Sequence, residues 1–183
     1  MNETNTTIGG KIALFNRIRK SGQTIPLSKA IIHTTIITCL GLIVGVLIKL
    51  LDIYTTNLGN IFSQMSVWIF ICTLISVYSN SAVRAAVNVF GFCIGMLLTY
   101  YITAEMTASV YSPIIAYGWT VFAFLCPLMG FLVWYTKGKS WVSKMISIGI
   151  IIVMLVAAVV LFDKIRISDI LFAGLTGFIL FKR

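Results

Sequence analysis

Chemistry in this chain would have to come from three ionisable side chains at the edges of long apolar runs. Lys49 and Asp52 close the first run three residues apart, so they share one helical face and each lowers the other's cost of leaving water. Glu105 closes the third run. Aromatic residues gather with them: Tyr54, Tyr100, Tyr101, Tyr111, Tyr117 and Trp119. Aromatic faces beside a carboxylate can hold an organic cation or amine. An aromatic-lined pocket also suits a neutral, vitamin-like solute. The candidate solute-binding set is therefore Lys49, Asp52, Tyr100, Tyr101, Glu105, Tyr117 and Trp119. Within it Glu105 is expected to be the free anion, because Lys49 already serves Asp52. The competing reading is an interfacial belt of aromatics with flanking charges, such as Trp134, Tyr135 and Trp141 form on the opposite side.

No catalytic residue is assigned. The sequence holds no H-E-x-x-H, no G-x-S-x-G, no Walker loop and no cluster of histidine with carboxylates. Cys39, Cys72, Cys93 and Cys126 each fall in a different apolar run, without C-x-x-C or Cys–His spacing. They are expected to be small apolar fillers, so neither a metal site nor a cofactor is expected. His33, the single histidine, is expected to make an interhelical hydrogen bond, because no intramembrane carboxylate is placed near it to complete a proton relay.

The elements that must carry these residues are legible from composition. The chain has 183 residues, 59% hydrophobic and only 10% charged, against about 25% charged in soluble domains. Six apolar runs, about 27–51, 58–79, 82–105, 113–136, 141–162 and 166–181, read as an all-α bundle of six transmembrane helices. Pro127 is expected to kink the fourth. The sixth run is short for a full crossing. Residues 1–26 form a basic N-terminal segment without a cleavable signal pattern. Between Gly10 and Ser21 it reads either as an interfacial helix or as a disordered basic arm.

Small and polar residues are confined to stripes on two of the runs. Thr34, Thr38, Gly41, Gly45, Lys49 and Asp52 share one face of the first, and Arg84, Asn88, Gly91, Gly95 and Thr99 share one face of the third. Such faces belong against other helices, because glycine four apart lets two backbones approach closely. The expected helix-packing residues are Thr38, Gly41, Gly45, Asn88, Gly91 and Gly95.

Orientation follows from the basic residues. With the N-terminus inside, the inner segments hold Lys11, Arg17, Arg19, Lys20, Lys29, Arg84, Lys137, Lys139, Lys144, Lys182 and Arg183, which is 11 of 14. Lys49, Lys164 and Arg166 remain outside. The bias predicts both termini in the cytoplasm of a plasma-membrane protein. It also accounts for the net charge of +9 without nucleic acid as a partner.

The gross plan of six helices in a chain of this size, N-in and C-in with an outward-facing solute site, resembles the substrate-binding subunits of energy-coupling-factor transporters. In those subunits a small-residue face on the first helix docks a partner, and Gly41 and Gly45 would take the place of its alanines. The Ile-rich, Lys-over-Arg style also resembles uncharacterised small multi-pass membrane proteins of Gram-positive bacteria. Two functions stay open on the sequence. One is binding or transport of a small solute from the outer face. The other is a non-transporting assembly, immunity or regulatory subunit that docks through its glycine stripes. The partners expected are the lipid bilayer, a small-molecule solute, and either other membrane subunits or a second copy.

Overall fold

The computed structural model describes residues 18–20, 25–55, 59, 61–62, 64–109 and 111–182. Helices account for nearly all of them, and no strand occurs among the described residues. The order is α1 (Leu27–Tyr54), α2 (Met65–Tyr78), α3 (Ala82–Met106), α4 (Pro113–Trp134), a short 3-10 turn (Tyr135–Lys137), α5 (Trp141–Phe162) and α6 (Ile167–Phe181). Apart from Ile18, Arg19 and Lys20, the candidate interfacial segment lies outside the described residues.

Local chemistry sets the helix ends. Pro26 precedes α1, and Pro113 opens α4, where a missing N–H costs nothing. The hydroxyls of Ser81 and Ser140 accept from the backbone N–H groups of Arg84 (3.3 Å) and Val142 (3.4 Å), which caps α3 and α5. Asp163, at φ 55°, turns the chain out of α5. The α4 helix continues through Pro127 to Trp134.

Four helices, α1, α3, α4 and α5, are long and apolar enough to cross a membrane. Their outward surfaces are rich in exposed Ile, Leu, Val and Phe, as lipid contact requires. The α2 and α6 helices have 14 and 15 residues, about 21–22 Å of rise. The run expected over 58–79 is helical at Gly59, Ile61 and Phe62, bends at Gln64, and continues as α2 from Met65. Ahead of it Gly59 tucks against Asp52, and the Trp68 indole N–H bonds the Phe62 carbonyl at 2.8 Å. Burial explains how α2 can be short. It lies among α3, α4, α5 and α6, and its Ser66, Thr73 and Ser76 are buried. Protein around it, rather than lipid, meets its polar groups.

The α1 helix makes its extensive contact with α3, and the two run parallel. Here the two glycine stripes face each other. A Cβ on Gly41 would meet the Phe92 carbonyl oxygen at 2.3 Å, and one on Gly45 would meet that of Met96 at 2.2 Å. One on Gly91 would meet the Thr38 hydroxyl at 2.4 Å, and one on Gly95 the Thr38 carbonyl at 2.9 Å. At Gly41, Gly45 and Gly95 the obstacle is backbone and only hydrogen fits, while at Gly91 it is the Thr38 hydroxyl. Polar groups stitch the seam: the Thr99 hydroxyl donates to the Leu42 carbonyl at 2.8 Å and the Thr34 hydroxyl to Asn88 Oδ1 at 2.7 Å. Asn88 Nδ2 then donates to Ser79 Oγ at 3.1 Å, which ties the seam to the turn after α2.

Candidate functional site

A cavity of about 310 Å³ opens at the end of the bundle where α1 and α3 finish and α4 begins. The α1 helix contributes Ile48, Lys49 and Asp52, α3 contributes Met96, Leu97, Tyr100 and Tyr101, and α4 contributes Ile115 and Trp119. Trp68 of α2, Gly59 and Phe62 ahead of it, and Tyr111 and Ser112 ahead of α4 complete the wall. Its size falls at the lower end of the range for small-molecule pockets.

The polar side is built on one ion pair. Lys49 Nζ lies 3.0 Å from Asp52 Oδ2. Lys49 is 2% exposed, while the Asp52 side chain is 41% exposed at the mouth. The Tyr100 hydroxyl donates to the same Asp52 oxygen at 3.2 Å, and the Lys49 ammonium lies 5.0 Å from the Tyr100 ring centre. Lysine buried this deeply needs all of these contacts, since an unpaired charge there would be costly. The opposite wall is aromatic. Trp68 and Trp119 meet edge-on with ring centres 6.3 Å apart, and Tyr100 and Tyr101 do so at 5.3 Å. Such a site can stack a flat ring and present one cation and one anion to its polar edge.

Of the seven candidate residues, five line this cavity together: Lys49, Asp52, Tyr100, Tyr101 and Trp119. Glu105 stands beyond Tyr101, beside a shallow apolar groove with Leu98, Ile102 and Met106. Its carboxylate accepts the Tyr111 hydroxyl at 2.6 Å, a bond that pushes the Tyr111 phenol above its usual pKa. Tyr117 is 74% exposed on the outer surface of α4. Phe62, Trp68, Met96 and Leu97 are wall residues that the sequence reading did not select. Their signal was depth: Trp68 is one turn inside α2, as Trp119 is nearly two turns inside α4.

Two further polar clusters were hidden from linear spacing. Asp169, 2% exposed, starts α6 and accepts from the Ser66 hydroxyl at 2.5 Å and the Arg166 backbone N–H at 2.9 Å. The Gln64 amide, with its nitrogen toward Asp169 (3.3 Å) and its oxygen toward Arg166 Nη1 (3.0 Å), links the two ions. A carboxylate in the first turn of a helix is also favoured by the helix dipole. At the other end of the bundle, His33, Arg84 and Asn88 line a second cavity of about 280 Å³, and an Arg84 guanidinium N–H donates to the Ile25 carbonyl at 3.1 Å. Nearby, Arg19 lies 4.1 Å from the Trp134 ring centre and donates to the Trp134 carbonyl at 2.6 Å. Burial lowers the pKa of that guanidinium. Finally, Cys72, Cys93 and Cys126 converge within the core. No protein family, curated protein or solved structure matches the chain.

Proposed function

We propose that this chain is a non-enzymatic integral membrane protein that binds, or passes, a small solute through the Lys49–Asp52 cavity, with that cavity facing the outside. The observation that supports this most is the joint lining of one cavity by an ion pair, its lysine buried and its carboxylate at the mouth, and the aromatic rings of α2, α3 and α4. The chemistry fits a flat solute that carries a hydrogen-bonding or zwitterionic edge. An aromatic wall supplies area and the ion pair supplies orientation. Because Lys49 and Tyr100 both engage Asp52, a simple cation would have to displace an internal partner. A solute with both a donor and an acceptor would instead bridge the pair. Docking of a partner through the glycine stripes finds less support, because α1 and α3 cover each other's glycines.

The test is ligand-induced thermal stabilisation of the purified full chain across vitamins, nucleobases and amines, paired with tryptophan fluorescence. A binding solute raises the melting temperature and perturbs Trp68 and Trp119 emission. Trp119→Ala and Tyr100→Leu weaken that solute by about tenfold or more (each tenfold being about 1.4 kcal/mol), while Glu105→Gln leaves it within about twofold. Stabilisation that depends on Glu105 but not on Trp119 would refute this site.

A further inference from the structure

Three thiols from three helices meet at mid-depth of the bundle. Cys72 of α2, Cys93 of α3 and Cys126 of α4 place their sulfur atoms within 4.8 Å of one another, and Cys72 Sγ is 3.7 Å from Cys93 Sγ. All three are buried in one apolar core cluster that also holds Trp68, Val89, Phe92, Met96, Leu97 and Ala123. A central atom held at about 2.3 Å by three sulfurs sets those sulfurs about 3.5–4.0 Å apart, for bond angles between pyramidal and planar. The three side chains thus already stand close to a three-coordinate cage. The group contains no histidine or carboxylate to complete the tetrahedral set that structural zinc prefers.

Charge selects the guest. The α2 and α4 helices carry no charged residue, and the one basic residue of α3, Arg84, is about 13 Å along the axis from Cys93. Among the described residues these three helices bring no cation to the thiols, and Lys49 in the cavity above is already paired with Asp52, so the complex must be close to neutral. Three thiolates around a monovalent soft ion leave two negative charges, and around a divalent ion one. A trivalent centre leaves none.

We infer that Cys72, Cys93 and Cys126 form a binding site for a trivalent, thiol-seeking metalloid of the arsenic(III) class. The guest arrives as its uncharged hydroxide. Three S–As bonds form as three As–O bonds break, each thiol proton leaves with a hydroxide as water, and arsenic keeps its oxidation state: As(OH)3 + 3 Cys–SH → As(S–Cys)3 + 3 H2O. The route in is the cavity above, since Trp68 and Met96 on its wall lie one turn from Cys72 and Cys93. Cys39 is exposed on α1, away from the cluster, and serves as the control.

The experiment uses the full chain, purified under reductant in detergent, with arsenite as the probe. Intact-protein mass spectrometry is expected to show one arsenic gained and three hydrogens lost. Thiol labelling should find three of four cysteines protected, and X-ray absorption should give three sulfur neighbours. Cys39→Ser retains the adduct, whereas Cys93→Ala and Cys126→Ala each lower arsenite affinity at least tenfold at unchanged helical circular dichroism. Copper(I) is titrated in parallel. The inference is overturned by no adduct on the wild-type chain, by two sulfur neighbours, by an adduct that survives Cys93→Ala, or by tight copper(I) binding without arsenite binding. Should a variant fail to fold, the wild-type mass and sulfur count decide alone. None of these readouts depends on whether the upper cavity takes an organic solute.

Discussion

Lys49 and Asp52 are unequal partners, and their inequality makes a measurable prediction. Lys49 is almost wholly buried, while Asp52 reaches the mouth and keeps a second bond from Tyr100. Asp52→Asn strands a buried ammonium and should cost about 1–3 kcal/mol. Lys49→Met leaves a carboxylate that water and Tyr100 can still serve, and should cost less than half as much. Thermal unfolding of both variants in one detergent checks the order, and equal losses would contradict it. The pairing was legible in the three-residue spacing. The position of Glu105 was not, because it depends on where around α3 the inward line runs. That line passes through Cys93, Met96, Leu97 and the buried Ala104, which leaves Glu105 turned about 100° away. The meeting of Cys72, Cys93 and Cys126 was still less legible. Nothing local links residues so far apart in the chain, and only the packing of α2 against α3 and α4 brings them together.

At the scale of helices, the glycine spacing read from the sequence finds its partner in the structure: each stripe is the other's complement. Gly41→Leu or Gly45→Leu drives a side chain into the backbone of α3 and should destabilise the bundle by at least about 1–3 kcal/mol. Ile43→Leu, on an exposed position of the same helix, should stay within about 0.5 kcal/mol. Denaturation in mixed micelles, read by circular dichroism, compares the three, and a large loss at Ile43 would contradict the seam. Apolar periodicity located each helix but could not rank them by burial. The serines and threonine of α2 were the clue that it is central, since they need protein partners. The bend at Gln64, just before Met65, was hidden because Gln64 leaves the run for a tertiary reason, the Asp169–Arg166 pair.

For the molecule as a whole, the basic bias predicts that the cavity end faces out. Thr107, exposed just beyond α3, provides the probe. Thr107→Cys, in a chain whose native cysteines are replaced by alanine, should react with an impermeant maleimide added to intact cells. A cysteine at the exposed Lys139 should react only after lysis, and the reverse pattern would invert the topology. The α1–α3 seam also bears on biosynthesis. The first helix leaves the ribosome with its two glycines and hydroxyls uncovered, and its partner begins only at Ala82, after the whole of α2 has been made. Until then α1 must wait in the insertion machinery or in lipid. A released fragment ending near residue 80 should therefore expose the seam to cross-linking by neighbouring membrane proteins, and one ending past residue 110 should not.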